Sequence, residues 1–146
     1  MTGFEVLLLT GIAHLLADAS LGTWRDTGIY TAAETGIVMD TVPASPDRVI
    51  TLTDYVVSDD PTLSDSVIGV QVRTRWGGAD PRPVKDLDGG IFDVLHGLEG
   101  VDLVGGVHVV SMFRRSGTSM GQDANSRWGR SSNYYATVHR PSTNRS

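Results

Sequence analysis

The stretch Ser66–Arg75, SVIGVQVRTR, has the clearest strand pattern in the chain. Its side chains alternate, with Ile68, Val70 and Val72 on one face and Gln71, Arg73 and Arg75 on the other. Alternation with a period of two is typical of a strand that has one buried and one solvated face. Antiparallel sheets commonly have such faces, so the stretch predicts a sheet of this kind with its apolar face on a core.

The segments on either side of this strand predict a second strand and a helix. The apolar run Arg48–Val57 follows a proline-bracketed turn and predicts a strand. After the loop WGGADPRP, apolar residues recur at helical spacing from Pro83 to about Leu98, which predicts a helix. Gly89 and Gly90 lie in its middle, so either the helix is locally weak or another element packs closely on its backbone there.

The N-terminal stretch FEVLLLTGIAHLLADAS, which starts at Phe4, predicts an amphipathic helix. Thr2 and Glu5 have the spacing of a capping box, and Leu8 and Ile12 lie on its apolar face. No Lys or Arg precedes the run, and an acidic residue lies where a signal peptide has its positive region, so we expect no secretion signal. No apolar run in the chain approaches 18 residues, so no transmembrane helix is expected.

Two strands are predicted toward the C-terminus. One spans Val107–Arg114, and the last includes Trp128–Tyr135 and extends to His139. The faces of the last strand are ambiguous by alternation, and we expect Tyr135 to pack inward, with Trp128 as a second candidate for the core. The segment between the two strands, residues 114–130, is rich in glycine and polar residues and is predicted to be a loop.

These elements define a fold class. The order is helix, a connector with at most short strands near Trp24–Tyr30 and Gly36–Met39, two strands, a helix and two strands. Sequential strands with short connections predict an α+β domain, a mainly antiparallel sheet of about four to five strands with two helices packed on one face. We expect a single domain over residues 1–146, with a flexible C-terminal tail at about 141–146.

The charges are unevenly distributed along the chain, which has no cysteine. Residues 1–106 have six Lys and Arg against sixteen Asp and Glu, whereas residues 107–146 have six Arg against Asp123 alone. A basic end of this kind is suited either to nucleic acid or to the acidic surface of a second copy of the chain. The third possibility is that the charges are simply solvated.

The pentapeptide GTSMG, residues 117–121, matches the G-x-S-x-G pattern of serine hydrolases, and Asp123 and His139 follow Ser119 in triad order. That motif needs a helix directly after the serine, but QDANSRWGRSSN has no helical periodicity. The histidines lack metal-ligand spacing, and the acidic loop with Asp59, Asp60 and Asp65 lacks the pattern of a calcium loop. We therefore predict no catalytic, cofactor or metal site and no enzymatic activity.

Several stretches taken together resemble a known family: VPASPDRVITLTDY, DSVIGVQVRTRWGGADPRPV, FDVLHGL, GVHVVSMFRRSG and GQDANSRWGRSSNYYATVHRP. Over residues 4–141 the chain resembles the minor capsid or tail terminator proteins of long-tailed phages of actinobacterial hosts. The predominance of arginine over lysine agrees with this resemblance.

The resemblance implies a structural virion protein of the tail or neck, assembled in the host cytoplasm. Such proteins form a hexameric ring that caps the finished tail tube, stops further addition of tube subunits and presents a face to the head. The implied partners are other copies of the chain, the major tail tube protein and the head–tail connector or head-completion protein. Genomic DNA would pass through the ring without specific binding, and no cofactor or membrane is implied.

The polar residues of the predicted loop are candidates for contacts between subunits. They are Arg114, Arg115, Gln122, Asp123, Asn125, Arg127 and Arg130, with Asp59, Asp60 and Asp65 as candidate partners on the neighbour. Arginine forms bidentate contacts with carboxylates, and six-fold rings join one surface to a different surface. We expect this loop to be mobile in the free subunit, and replacing Arg127 and Arg130 with alanine to block ring closure while leaving unfolding nearly unchanged.

Two alternatives remain from the residues themselves. The segment could be a solvated hairpin tip, without any partner. The chain could also be a small nucleic-acid-binding domain that uses the arginines of residues 114–145, in which case its affinity for DNA would fall steeply with salt.

Overall fold

The computed structural model describes residues 2–145 and contains two helices and a seven-stranded sheet. The helices are α1, Phe4–Asp18, and α2, Arg82–Leu95. The strands are β1 Thr23–Trp24, β2 Gly36–Met39, β3 Val49–Ser58, β4 Asp65–Trp76, β5 Glu99–Asp102, β6 His108–Gln122 and β7 Trp128–His139. The sheet order is β1-β2-β3-β4-β7-β6-β5, in which β1–β2 and β2–β3 are parallel and the other pairs are antiparallel.

The predicted sheet of four to five mainly antiparallel strands is wrong, because the sheet has seven strands, is mixed and is curled. Three of the strands are short: β1 has two residues, and β2 and β5 have four each. Strand β2 has the predicted bounds, Gly36–Met39, whereas β5 was not predicted. Such short strands depend on pairing with a longer neighbour, so their own sequences show little alternation. The two helices are present, but α1 begins after Gly3 with no side-chain cap, so the predicted Thr2–Glu5 capping box is also wrong.

The predicted faces of β4 are confirmed. Ile68, Val70 and Val72 are buried in the core, and Gln71 and the arginines lie on the opposite face. We call the core side of the sheet, which α1 and α2 contact, the inner face, and the other side the outer face.

The predicted last strand is confirmed as β7, but the expected inward position of Tyr135 is wrong. Tyr134 is fully buried, whereas Tyr135 lies on the outer face, where its ring packs edge-on against Phe113 at 5.8 Å between centroids. The register explains the difference, because Tyr134 lies opposite the inward-facing Val70 of β4.

The predicted loop over residues 114–130 is also wrong. Strand β6 continues through GTSMG to Gln122, pairs with β7 throughout and leaves only residues 123–127 as the turn of a long hairpin. Backbone pairing with β7, rather than apolar side chains, holds this half of β6 in place, which is why its composition resembles that of a loop.

The two glycines of α2 differ in their surroundings. A Cβ built at Gly90 would lie 2.8 Å from the Leu21 side chain, whereas one at Gly89 would meet nothing within 4 Å. Close packing on the backbone therefore accounts for Gly90. The helix ends at Leu95, before the predicted Leu98, and the His96 ring stacks on Phe92 at 4.4 Å.

Residues 141–145 form a tight turn that returns toward the β3–β4 loop. Arg145 donates hydrogen bonds to the carbonyl oxygens of Leu63 and Asp65 and to the Ser66 hydroxyl. Ser146 lies outside the described residues, and the flexibility of the segment 141–146 stays a prediction, as does the single-domain organisation.

Candidate subunit interface

One carboxylate organises the turn between β6 and β7. Asp123 accepts hydrogen bonds from the backbone N–H groups of Asn125 at 2.9 Å and Arg127 at 3.0 Å, and from Arg127 Nε at 2.9 Å. These bonds, with the backbone of Arg127 contributing most, favour the charged carboxylate and lower the pKa of Asp123. The turn is therefore a hydrogen-bonded structure of the subunit itself.

Arg127 also joins the turn to the segment before β3. Its guanidinium donates to the Ala44 carbonyl oxygen at 2.7 Å and lies 3.6 Å from the Asp47 carboxylate, and the side chain is only 12% exposed. Arg75 of β4 binds the same segment through the carbonyl oxygens of Pro46 and Asp47. The hairpin end is thus fastened to the segment that precedes β3.

A second cluster lies on the inner face around Asp88 of α2, which is 2% exposed. Its carboxylate accepts hydrogen bonds from Arg130 Nε at 3.1 Å and the Ser132 hydroxyl at 2.8 Å, and Arg114 lies 3.9 Å away. The Arg114 guanidinium also lies 4.3 Å from the centre of the Phe92 ring. Because the buried charge has both hydrogen bonds and ion pairs, the cluster ties α2 to the β6–β7 hairpin.

The predicted acidic partners lie at the opposite end of the sheet and have contacts of their own. Asp59 binds the Ser66 hydroxyl at 2.6 Å, Asp60 accepts from the Thr62 N–H and hydroxyl, and Asp65 lies 3.1 Å from His139. Strand β4 runs from Asp65 to Trp76, so at about 3.3 Å per residue the two ends are roughly 35 Å apart.

The structure therefore divides the predicted interface residues into groups. Arg114 and Arg130 contact Asp88, and Arg127 contacts Asp123 and Asp47, all within one subunit. Arg115, Gln122 and Asn125 are exposed. Within residues 107–145, Arg115 is the one arginine with no carboxylate within 4 Å.

The role of Asp88 was not predicted from the sequence, although the pattern of α2 contains a signal for it. The buried residues of α2 are Val84, Leu87, Asp88, Ile91 and Leu95. A carboxylate at an apolar position of the helical stripe is costly to bury without a partner, so it predicts a nearby cation. Nothing in the sequence alone identifies that cation as Arg130.

The residues of the serine-hydrolase pattern do not come together. Ser119 lies in β6 opposite Arg130, whereas His139 lies nine residues farther along β7 and contacts Asp65. At about 3.3 Å per residue this separates Ser119 from His139 by roughly 30 Å. The hydroxyl of Ser119 is 3.4 Å from the Gly121 N–H and has no contact with a histidine among the described residues.

One cleft lies between the hairpin end and the sheet. It has a volume of about 160 Å³ and is lined by Thr51, Arg73, Met120, Asp123 and Arg127 among others. This volume is below the range typical of small-molecule sites, about 300–1,000 Å³. Within residues 2–145 no group of three or more His, Asp and Glu side chains could hold a metal ion. No described helix is long and apolar enough to cross a membrane.

The fold is shared with a chain of a solved gene transfer agent particle. A chain of the solved structure "Virion of native gene transfer agent (GTA) particle" matches with a TM-score of 0.64, covering 90% of this chain and 93% of that one. The two sequences are 21% identical, so the match shows a common fold. No curated protein sequence matches the chain.

The family model described as "Bacteriophage tail terminator protein" matches residues 15–140, most of the chain. The molecule therefore belongs to the class of structural proteins found in phage tails. The chain belongs to the bacteriophage tail terminator family. The predicted location in the tail or neck of the virion is thereby confirmed.

Proposed function

We propose that the protein ends the growth of the phage tail tube by forming a ring, with six subunits, on its last layer. The observation that carries this proposal is the match to the tail terminator family over residues 15–140. In this proposal the ring covers the surface to which the next tube subunits would add and presents its other side to the head. The partners are the major tail tube protein and the head–tail connector or head-completion protein.

The charge distribution supports a ring built from unlike surfaces. Asp59, Asp60 and Asp65 lie at one end of the sheet, and the exposed Arg115 lies near the middle of β6, opposite the middle of β7. A cyclic ring with six copies joins one surface to a different one on the neighbour. The acidic end and the part of β6 that begins at Arg115 are such a pair, and we assign them to the ring contact.

The pairing of most C-terminal arginines favours the ring over a nucleic-acid-binding domain. Arg114, Arg127, Arg130, Arg140 and Arg145 each lie within 4 Å of a carboxylate of the same subunit. Arginines neutralised in this way are not available to release counterions from phosphates, which is the main source of DNA affinity. We therefore propose that DNA passes through the ring without specific binding.

The narrower assignment to long-tailed phages of actinobacterial hosts is also a proposal. It is supported by the stretches VQVRTR and NYYATVHRP and by the predominance of arginine over lysine.

Loss of the protein during infection provides the test. Without it, we expect tubes of irregular, excessive length and separate heads under the electron microscope, and the wild-type gene supplied in trans should restore virions. Tails of normal length joined to heads in the absence of the protein would contradict the proposed function.

A further inference from the structure

Two strands of the sheet have open backbone edges. Strand β2 pairs with β3 only from Val49 to Leu52, so residues 53–58 of β3 pair with β4 alone. Strand β5 pairs with β6 only from His108 to Ser111, and contacts with residues 96–98 cover β6 as far as Arg114. Residues 115–122 of β6 therefore pair with β7 alone. We call residues 53–58 the β3 edge and residues 115–122 the β6 edge.

The two edges have matching lengths and limits. The β3 edge is regular from Thr53 to Val56, where a register shift follows, and the β6 edge is regular from Ser116 to Ser119, between two register shifts. Each edge therefore offers a regular run of four residues. Bulges bend and twist a strand, so we expect regular pairing within these runs and as far as the residue next to the β6 run, Arg115, which would lie opposite Val56.

The orientation of the edges also allows them to pair between copies. Within the sheet, β3, β4, β7 and β6 follow one another in antiparallel pairs, so β3 and β6 run in opposite directions. The outer-facing residues of the two runs, Thr53 and Tyr55 on β3 and Thr118 and Ser116 on β6, are offset by two residues along β4, roughly 7 Å. Tilted strands, as in closed sheets, accommodate an offset of this size between neighbouring copies.

The side chains on the two edges are complementary. Tyr55, Val56 and Val57 on the β3 edge are exposed, as are Phe113 and Met120 on or beside the β6 edge. These five are among the nine large apolar residues exposed in residues 2–145, so exposed apolar surface is concentrated at the two edges.

The charges at the two edges have opposite signs. The β3 edge contains Asp54 and leads into the acidic loop, and the β6 edge begins with Arg115. Burial, with repulsion from Asp40 and Glu5 as smaller causes, raises the pKa of the Asp54 carboxyl. A neighbour's guanidinium would stabilise its charged form.

We propose that the β6 edge of one subunit adds antiparallel to the β3 edge of a second copy, so that the sheet continues from subunit to subunit. An unpaired strand edge is a template for such addition, and natural proteins protect it unless it is used. Matching the outer faces places Thr53 opposite Thr118 and Tyr55 opposite Ser116. This inference rests on the proposed ring and specifies its contact.

Disulfide trapping tests the pairing, because the chain has no cysteine of its own. The double variant Thr53→Cys with Thr118→Cys, oxidised during assembly on purified tail tubes, should yield a ladder of covalent species up to the full ring. Directly opposed residues of an antiparallel pair have Cβ atoms about 4.5–5.5 Å apart, close to the separation that disulfides need. Each single variant, and the control Val104→Cys with Thr118→Cys, should give no such ladder.

A proline variant tests the same edge without cysteines. The Leu52 carbonyl oxygen accepts a hydrogen bond from Asp40 on the β2 side, so by alternation the Val56 N–H points to the open side of the β3 edge. Val56→Pro should therefore retain the β3–β4 pairing and fold, yet lose ring assembly by at least tenfold. The control Val56→Thr keeps the N–H and should assemble as the wild type does.

The outcomes separate this inference from the proposed function. Rings of wild-type mass on the tube end for Val56→Pro, with no ladder from Thr53→Cys and Thr118→Cys, would overturn the edge pairing and leave the ring intact. Wild-type protein that forms no ring on tube ends and does not limit tail length would overturn the proposed function itself.

Discussion

At the scale of single residues, Asp88 joins a helix to the hairpin that carries the proposed contact surface. Its carboxylate is nearly inaccessible, whereas Arg130 and Arg114 keep side-chain exposures of 23% and 34%. The cations can thus return to water more easily than the anion can. The loss in free energy of unfolding when this cluster is broken therefore depends on which of the three residues is replaced.

Replacement of Asp88 by asparagine should lower the free energy of unfolding by about 1–3 kcal/mol, because hydrogen bonds to a charged group are lost while the arginines stay partly hydrated. Urea denaturation at neutral pH measures the change. The exposed Asp86, two residues earlier on the same helix, provides the matched control, and Asp86→Asn should change stability by less than about 0.5 kcal/mol. Equal effects of the two variants would contradict the role assigned to the cluster.

Replacement of Ser119 by alanine should leave tail completion intact, because the Ser119 hydroxyl contacts no base within residues 2–145. Complementation of a phage that lacks the gene measures this. A purified wild-type protein that hydrolyses esters, and loses that activity with Ser119→Ala, would show that the G-x-S-x-G match has a chemical meaning.

The structure also changes the expected behaviour of Arg127 and Arg130. We expected from the sequence that removing both would leave unfolding nearly unchanged, but both are held within the subunit, with side-chain exposures of 12% and 23%. Their joint replacement by alanine should therefore destabilise the subunit as well as disturb assembly. Arg115, which has no such partner, is the better residue for testing the contact alone.

At the scale of elements, the connector between α1 and β2 is held by an ion pair. Arg25 binds Glu34 through two hydrogen bonds of 2.6 Å, and Glu34 also accepts from the Thr31 N–H. The hydrogen bonds from Arg25, and then that from Thr31, lower the pKa of the Glu34 carboxyl to about 2.

This pair predicts a specific dependence of stability on pH. Because the folded pKa of Glu34 is lower than the ordinary value of 4.5, its stabilisation is fully present above pH 4.5 and is lost as the pH falls toward 2. Glu34→Gln should therefore show a shallower loss of stability across this range in chemical denaturation. The variant Glu99→Gln, at an exposed position, serves as the control. Identical dependences of stability on pH for the wild type and Glu34→Gln would contradict the role assigned to Glu34.

The sequence predicts an element well when a stripe of buried side chains determines it, and poorly when backbone pairing with a neighbouring strand determines it. Strand β4 and helix α2 have a buried stripe, so their periodicity predicts them. Residues 115–122 of β6 have no such buried stripe. They are exposed and are held by backbone pairing with β7, so their glycines and serines resemble those of a loop. Prediction of the candidate subunit interface was limited in the same way. The sequence identifies the arginines, but only the strand register shows that Arg130 and Arg114 lie beside Asp88.

At the scale of the whole molecule, the separation of charges predicts how assembly responds to salt. If an acidic end meets a basic edge, association should weaken as the Debye length falls from about 10 Å at 0.1 M to about 3 Å at 1 M salt. The assembled fraction measured by light scattering on tube ends should fall accordingly, and Arg115→Gln should flatten the dependence. Strong binding to DNA would favour the nucleic-acid alternative instead, if the logarithm of the affinity falls with the logarithm of the salt concentration with a slope that corresponds to several neutralised phosphates.

Strand β7 lies between β4 and β6 although it is the last strand along the chain, and this has a consequence for synthesis on the ribosome. The partners Asp65 and His139 are 74 residues apart in the sequence. The edge of β4 that pairs with β7 therefore stays unpaired until most of the chain has been synthesised. Until β7 has been synthesised, β4 and β6 have no common neighbour, and the β6 edge lacks the strand whose backbone hydrogen bonds keep it extended. A nascent chain therefore cannot display the complete contact surface, and an interrupted translation product should be unable to cap a growing tube.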